Sequence, residues 1–422
     1  MKAVSKYISQ VIKNEYFYGT VVVGIGTVIG SFLSYLLQFF LGRMLSVEDF
    51  GSFNALLSVS TILGVPAAVV GISLVKVVAT LKANADYPKL NALFKKLSIQ
   101  FLLLGVVVYA LATLFSGYVA SQLKIDNPSY INAFNIYLAF LFLNAIAGSY
   151  LQGLLKYKSL SFFFIISSLF RLVLPLIGIY IGYEVAGVFG GMSVAMLLSY
   201  ATTYLLIKED LGKKVDNHLS VQFKKLLTFS LPVFFINLGI MSLNNMDVIL
   251  VKKFFDPTLA GYYAGTVTLG KIYLFGAGIV TTIMFPIISS VYAKKENYKA
   301  KFFKLLSIEV FVALCGLLAF SFLPGLITQI FFGSRFFDSI QYLPRFSIFV
   351  LFYVLINFFI MYCLAIEKTW VFIFLLPGLL IQYILISVNH ASLYDVINAN
   401  IIASIITLGL LTIYAQKTKH TT

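Results

Sequence analysis

Twelve stretches of this chain are each apolar for about 20 residues or more, the length an α-helix needs to cross a hydrocarbon layer about 30 Å thick. They fall at about 19–41, 54–76, 98–121, 131–153, 160–182, 186–207, 228–251, 262–292, 305–330, 346–366, 369–389 and 395–416. In lipid such segments can satisfy their backbone only as helices, so an all-α polytopic membrane protein is predicted. The composition agrees, with 60% hydrophobic and only 11% charged residues, against about 25% charged in soluble domains. A soluble enzyme, a disordered chain and a disulfide scaffold are excluded. Cys315 and Cys363 are too few for a zinc or disulfide framework and read as small buried apolar side chains. Lys2, Lys6 and Lys13 precede the first run, and Leu41-Gly42-Arg43-Met44 offers no small-residue cleavage site, so the first span is read as uncleaved.

The basic residues set the orientation. Lys82, Lys89, Lys95 and Lys96 follow span two, Lys156 and Lys158 span four, and Lys208, Lys213, Lys214, Lys224 and Lys225 span six. With Lys294, Lys295, Lys299, Lys301, Lys304, Lys368 and the terminal lysines, one side collects 22 of the 31 basic residues. The other side has Arg43, Lys124, Lys252, Lys253, Arg335 and Arg345. The positive-inside rule then predicts both termini in the cytoplasm. The formal charge of +15 is a topology signal, and lysines scattered over short loops argue against nucleic acid. No loop is long enough for a soluble domain.

The chain repeats itself at half its length. At a shift of 210, the segment from Arg43 through Ser46, Gly51 and Phe53 to Asn54 falls on Lys253, Asp256, Gly261, Tyr263 and Ala264. Leu97-Ser98-Ile99 echoes Leu306-Ser307-Ile308 at a shift of 209. The expected organisation is a six-helix lobe at 1–207, a cytoplasmic linker at 208–227 and a second six-helix lobe at 228–422. An even number of spans per half gives both halves one orientation, the parallel repeat used by alternating-access transporters. Thr27, Ser31, Ser34 and Gln38 form one face of span one, and Asn237, Asn244 and Asp247 mark span seven; such stripes are expected to face a partner helix or a wet cavity.

The segment Arg43-Met44-Leu45-Ser46-Val47-Glu48-Asp49-Phe50-Gly51, together with Asp247-Val248-Ile249-Leu250-Val251-Lys252-Lys253-Phe254 and Ala260-Gly261-Tyr262-Tyr263-Ala264, resembles the Wzx-type polysaccharide-export flippases of the multidrug/oligosaccharidyl-lipid/polysaccharide superfamily. The resemblance implies two six-helix lobes in a V, as in the multidrug exporters of that superfamily. It implies a bacterial cytoplasmic-membrane flippase for a polyprenyl-diphosphate-linked oligosaccharide, serving O-antigen, capsule or exopolysaccharide synthesis. Membrane lipids, a polysaccharide polymerase or a chain-length regulator would be its partners.

Charges at membrane depth are the candidate binding groups, because each costs about 2.5–3.5 kcal/mol to insert. Arg171 lies about 18 Å into span five and Lys271 about 14 Å into span eight, at 1.5 Å per residue. A planar guanidinium fork and a mobile ammonium both suit a diphosphate. Lys76, at the cytoplasmic end of span two, is a further candidate, as are Asp247, a counter-ion or gate beside Lys271, and Asn237 and Asn244. Arg43 and Lys253 mark the entry motif of each half. Glu309, near the start of span nine, is read as interfacial. Residues 265–272 nearly match a phosphate-binding loop, but Ile272 stands where Ser or Thr must hold magnesium and the segment lies in a span. Neither a metal cluster nor a catalytic triad is visible; His218, His390 and His420 all sit in loops or the tail. Pro66, Pro175, Pro232, Pro286 and Pro377 mark bending points, with Gly26-x-x-x-Gly30 and Gly187-x-x-x-Gly191 for close packing. The alternatives are a multidrug or cation antiporter, disfavoured by a basic interior, and a non-transporting membrane scaffold or enzyme of envelope assembly. A diphosphate leaving an inside-negative cell gains roughly 4–5 kcal/mol per 100 mV if both charges cross the field.

Overall fold

A computed structural model describes residues 15–211 and 223–417, with side chains described except at 15–18, 20, 223–229 and 417. Lys2, Lys6, Lys13, Lys213, Lys214, Lys419, His218, His420 and both termini lie outside the described residues, so the orientation expected from them does too. The described chain runs α1 (Glu15–Met44), α2 (Val47–Leu63), α3 (Val65–Ala83), α4 (Tyr87–Leu114), α5 (Ser116–Gln122), α6 (Pro128–Gly153), α7 (Tyr157–Tyr180) and α8 (Glu184–Ile207). It continues with α9 (Phe223–Leu243), α10 (Met246–Phe254), α11 (Pro257–Ala293), α12 (Lys299–Phe322), α13 (Pro324–Phe332), α14 (Leu343–Ala365), α15 (Leu375–Val388) and α16 (Leu393–Lys417). Short 3₁₀ helices at Gly333–Tyr342 and Thr369–Phe374 precede α14 and α15. Among the described residues, eleven helices are long and apolar enough to cross a membrane, or twelve if the bent pair α9 and α10 is one span. Leu114, Phe322 and Val388 are 76%, 78% and 80% exposed, outward apolar surface that suits lipid rather than water.

The helix starts follow from side chains. The Ser46 hydroxyl accepts from the Asp49 amide and caps α2, and Asp256, its counterpart at the 210 shift, accepts from the Thr258 and Leu259 amides and caps α11. Asp86 caps α4 and Asn127 caps α6 in the same way. Helix ends repeat as well. After α3, the Asp86 amide donates to the Leu81 carbonyl and Ala85 to Lys82, and after α11 the Glu296 amide donates to Val291 and Lys295 to Tyr292. Each pair is a Schellman cap, with left-handed Ala85 (φ 52°) and Lys295 (φ 57°). The caps after α6 and α14, at Leu155 and Glu367, repeat at a shift of 212. The repeat read from sequence is therefore also a repeat of backbone hydrogen bonds.

By contacts the chain forms two compact units, over their described residues: Met1–Met44 with Pro66–Ser121 and Ile125–Ser230, and Leu45–Val65 with Gln122–Lys124 and Leu231–Thr422. In the first, α7 is held by glycines. A Cβ at Gly26 would meet the Ser161 Cα at 2.7 Å and one at Gly30 the Phe164 carbonyl at 3.0 Å, so α1 lies directly on α7. On α8, a Cβ at Gly187 would meet the Gly178 carbonyl carbon at 2.5 Å and one at Gly191 the Pro175 nitrogen at 2.4 Å. Both glycine pairs singled out in the sequence thus serve one helix. In this unit Phe94 meets Tyr150 edge-on and stacks on Tyr200.

In the second unit α2 packs on α11. Span two is not one continuous helix, because α2 ends at Leu63, with Gly64 as its C-cap, and α3 begins at Val65 beside Pro66. Pro175, Pro232 and Pro286 sit inside helices. Cys363 is buried as expected, but Cys315 is exposed, facing outward from α12.

Candidate functional site

In the first unit Arg171 lies on α7 seven residues past Phe164 and seven before Gly178, on one helical stripe bearing residues of both glycine seams. It is half-buried and makes no hydrogen bond or ion pair among the described residues. Other charged groups of the unit have partners. Lys156 pairs with Asp210 and donates to the Leu206 carbonyl at 3.1 Å. Lys82 donates to the Leu154 carbonyl, and the Tyr130 hydroxyl to Glu184. Lys76 is exposed, and it does not end its span, because α3 runs on to Ala83. Among the described residues the polar stripe of span one makes no interhelical hydrogen bond through Thr27 or Ser34. Their hydroxyls donate to the Val23 and Gly30 carbonyls of their own helix, each at 2.9 Å.

In the second unit the second span stripe becomes a break. Ser230–Leu243 and Met246–Phe254 are bent by 42° about Asn244 and Asn245, where Asn245 leaves helical geometry at φ −135°. Breaking a helix in lipid frees backbone groups that must find partners, and side chains supply them. Gln382 on α15 donates to the Leu243 carbonyl at 3.1 Å, Tyr353 on α14 to the Ile240 carbonyl at 3.0 Å, and the Asn245 amide to the Met241 carbonyl at 2.8 Å. Asp247, in the first turn of α10, is 1% exposed. Its carboxylate accepts from the Tyr263 hydroxyl at 2.6 Å, the Asn400 amide at 2.8 Å and the Val248 backbone at 2.9 Å. Gln382 donates to the Asn400 Oδ1 at 2.9 Å and closes the network.

Lys271 lies beside this network and makes no ion pair with Asp247 among the described residues. Its Nζ stands 3.4 Å from the Asn245 Oδ1, and it lines a small recess with Asn244, Phe346, Phe349 and Tyr353. Asp247 is instead the acceptor at the centre of the break. Asn237 donates to the Val233 carbonyl of its own helix at 2.8 Å. Residues 265–272, the near match to a phosphate-binding loop, are continuous helix in α11.

The two entry motifs meet. A Cβ at Gly51 would touch the Gly261 nitrogen at 2.8 Å, and one at Gly261 would touch the Val47 carbonyl oxygen at 2.1 Å. The repeat-related glycines therefore make a backbone-to-backbone crossing of α2 and α11. At its end the Thr258 hydroxyl donates to Glu48 Oε1 at 2.6 Å. That bond, with the Lys252 charge adding to it, holds the Glu48 carboxyl below the usual carboxylate range. Arg43 and Lys253 lie over aromatic rings, Phe39 at 4.4 Å and Phe254 at 5.4 Å.

Two residues were not singled out by the sequence in their observed setting. Lys252, counted there among outer-loop lysines, is 1% exposed in the last turn of α10. Glu309, read as interfacial, is 0% exposed on α12. The signal available was only that each charge abuts an apolar run.

The polysaccharide biosynthesis protein family matches residues 40–341. Among solved structures the chain is similar to an inward-facing multidrug resistance MATE family transporter of the MOP superfamily (TM-score 0.78, 15% identity, covering 96% of this chain and 99% of that one). It is also similar to the lipid II flippase MurJ in an inward closed conformation (0.73, 16%, covering 94% and 87%). An outward-facing MATE family transporter matches at 0.61 with 15% identity, covering 96% of each chain. At these identities the likeness establishes the fold alone: an all-helical, multi-pass membrane architecture. No curated protein sequence matches the chain significantly.

Proposed function

The chain belongs to the family of polysaccharide biosynthesis proteins, and from that membership we propose that it is a flippase for a polyprenyl-diphosphate-linked oligosaccharide. The membrane is the bacterial cytoplasmic membrane, both termini face the cytoplasm, and two six-helix lobes at 1–207 and 228–422 work by alternating access. The observation that carries this reading is Arg171, a guanidinium half-way along a membrane helix with no carboxylate or carbonyl partner among the described residues. A cation left without a partner at that depth is costly unless a ligand or water completes it, and its planar fork fits diphosphate oxygens. Lys271 is the second proposed phosphate contact, with Asn244 beside it and Asp247 as the fixed negative charge near it. Lys76 and Asn237 are proposed to meet the headgroup at other points of passage. The chain's own work is binding and movement, with no bond made or broken. A polymerase or chain-length regulator would take the product for O-antigen, capsule or exopolysaccharide.

The test uses proteoliposomes carrying a fluorescent polyprenyl-diphosphate oligosaccharide, with leaflet exposure read by a membrane-impermeant quencher. Wild-type protein is expected to equilibrate the leaflets, and Arg171→Ala to slow this at least about tenfold, the loss of about 1.4 kcal/mol. Wild-type rates from Arg171→Ala and Lys271→Ala at equal reconstitution would overturn the assignment. Export of a cationic drug without flipping would favour a multidrug exporter instead.

A further inference from the structure

The α11–α12 seam contains an acid that the proposed binding step does not use. On α12, Glu309, Ala313 and Gly316 share one face, and on α11, Tyr273, Ala277 and Thr281 share another. The two faces are in register. Tyr273 donates to the Ala313 carbonyl at 2.5 Å, a Cβ at Gly316 would strike the Tyr273 ring, and the Thr281 hydroxyl donates to Glu309 Oε1 at 3.0 Å. Glu309 is fully buried, and its second oxygen, Oε2, has no hydrogen-bond partner among the described residues.

Among the described residues the surroundings offer no counter-charge. From α11, Thr281 and Tyr273 face the acid, and the Tyr273 hydroxyl is already committed to Ala313. On α14 the ionisable side chains are Arg345 near the outer end, Tyr353, whose hydroxyl is committed to Ile240, Tyr362 and Cys363. Phe302 lies against Tyr362, its ring 4.1 Å away and two turns before Glu309. The short α13 carries no ionisable side chain. A carboxylate sealed in this way would be a bare ion in a low-dielectric seam, which folded proteins avoid by neutralising the group. An acid O–H placed on Oε2 removes that cost and leaves Oε1 as the acceptor for Thr281.

We propose that Glu309 is an exchangeable proton-binding site, occupied while the α11–α12 seam is closed and emptied when the seam admits water. On release the Oε2–H bond breaks, its electron pair stays on the carboxylate, and the proton passes to a water molecule. The seam cannot close over the ion until a proton returns. Opening and closing are thereby tied to proton exchange, and Thr281 acts as a positioning residue.

The site is testable without any transport substrate. The full chain in lipid nanodiscs would be titrated with pH and followed by infrared difference spectroscopy in the protonated-carboxyl C=O region. The expected result is a titrating band that disappears in Glu309→Gln and shifts in frequency in Thr281→Val. No titrating band in wild type, or an unchanged band in a folded Glu309→Gln, would overturn the proposal. In the proteoliposome assay, wild-type flipping should depend on pH and Glu309→Gln should not. A failed flipping assay with the infrared band intact would count against the flippase reading while leaving the proton site standing.

Discussion

Val47–Ala83 and Pro257–Ala293 coincide end for end at the 210-residue shift, yet the first is broken at Gly64 and the second is one helix of 37 residues. The helices before them differ in the opposite sense. α1 is 30 residues long without a break, whereas its counterpart is bent by 42° at Asn244 and Asn245. Duplication has kept what lies at helix ends, the Ser46 and Asp256 caps and the Schellman turns at Ala85 and Lys295. It has not kept where each half breaks. Ends are set by local chemistry of a few residues. A break in lipid survives only where other helices supply partners for the freed backbone, and in the second half Gln382 and Tyr353 do so, with Asn400 holding Gln382 in place.

The largest expected effect comes from removing the centre of that support. Asp247→Ala would leave the Tyr263 hydroxyl and the Val248 amide without their acceptor, at about 1–3 kcal/mol for each buried group left unsatisfied, and would leave the Asn400 amide only the Tyr263 oxygen at 3.0 Å. A large fall in the thermal midpoint in detergent is expected, and little change would mean that the break is held by other contacts. Next is Gly261→Ala, whose methyl would overlap the Val47 carbonyl and force α2 from α11, at about 1–3 kcal/mol. Gly64→Ala in the first half should cost much less, since Gly64 is already at φ −79°, ψ −11°. Equal losses in the two variants would remove the distinction between a crossing glycine and a breaking one. Gln382→Leu should cost about 1–2 kcal/mol through the orphaned Leu243 carbonyl and Asn400 Oδ1. Arg171→Ala should leave the midpoint unchanged while transport falls, because no internal partner is lost.

The smallest effect is the pH response of the α2–α11 seam. The Glu48 carboxyl is held below its usual range in the folded state, so its contribution is full above the unfolded carboxylate value of about 4.3 and fades as pH falls through the lowered one. The thermal midpoint of the protein should therefore lose this contribution only under acid, and the difference between wild type and Glu48→Gln should be present near neutral pH and vanish as pH falls. Asp86, held low by the Lys89 ammonium at 2.6 Å, titrates in the same direction in an exposed loop.

Much of this architecture was legible in the residues. Span count, the half-length repeat and both glycine pairs follow from apolar length and spacing, because each is a property of one helix read alone. What the sequence did not reveal depends on neighbours distant in the chain. Hydropathy cannot show that Asp247 meets Asn400, 153 residues on, or that Glu309 faces Thr281 rather than the membrane surface. It likewise cannot show that α2 groups with the second unit while α3 groups with the first. Thr27 and Asn237 were misleading in a different way: small polar side chains can be satisfied by their own helix, so a stripe of them need not announce a partner.

The glycine contacts on α7 have a mechanical corollary. A rod clamped at backbone distance toward one end by α1 and toward the other by α8 has no slack to roll about its long axis. Whatever excursions the protein makes, α7 should travel as a stiff spar, and the guanidinium it bears would keep a constant heading, like a compass needle bolted to the deck.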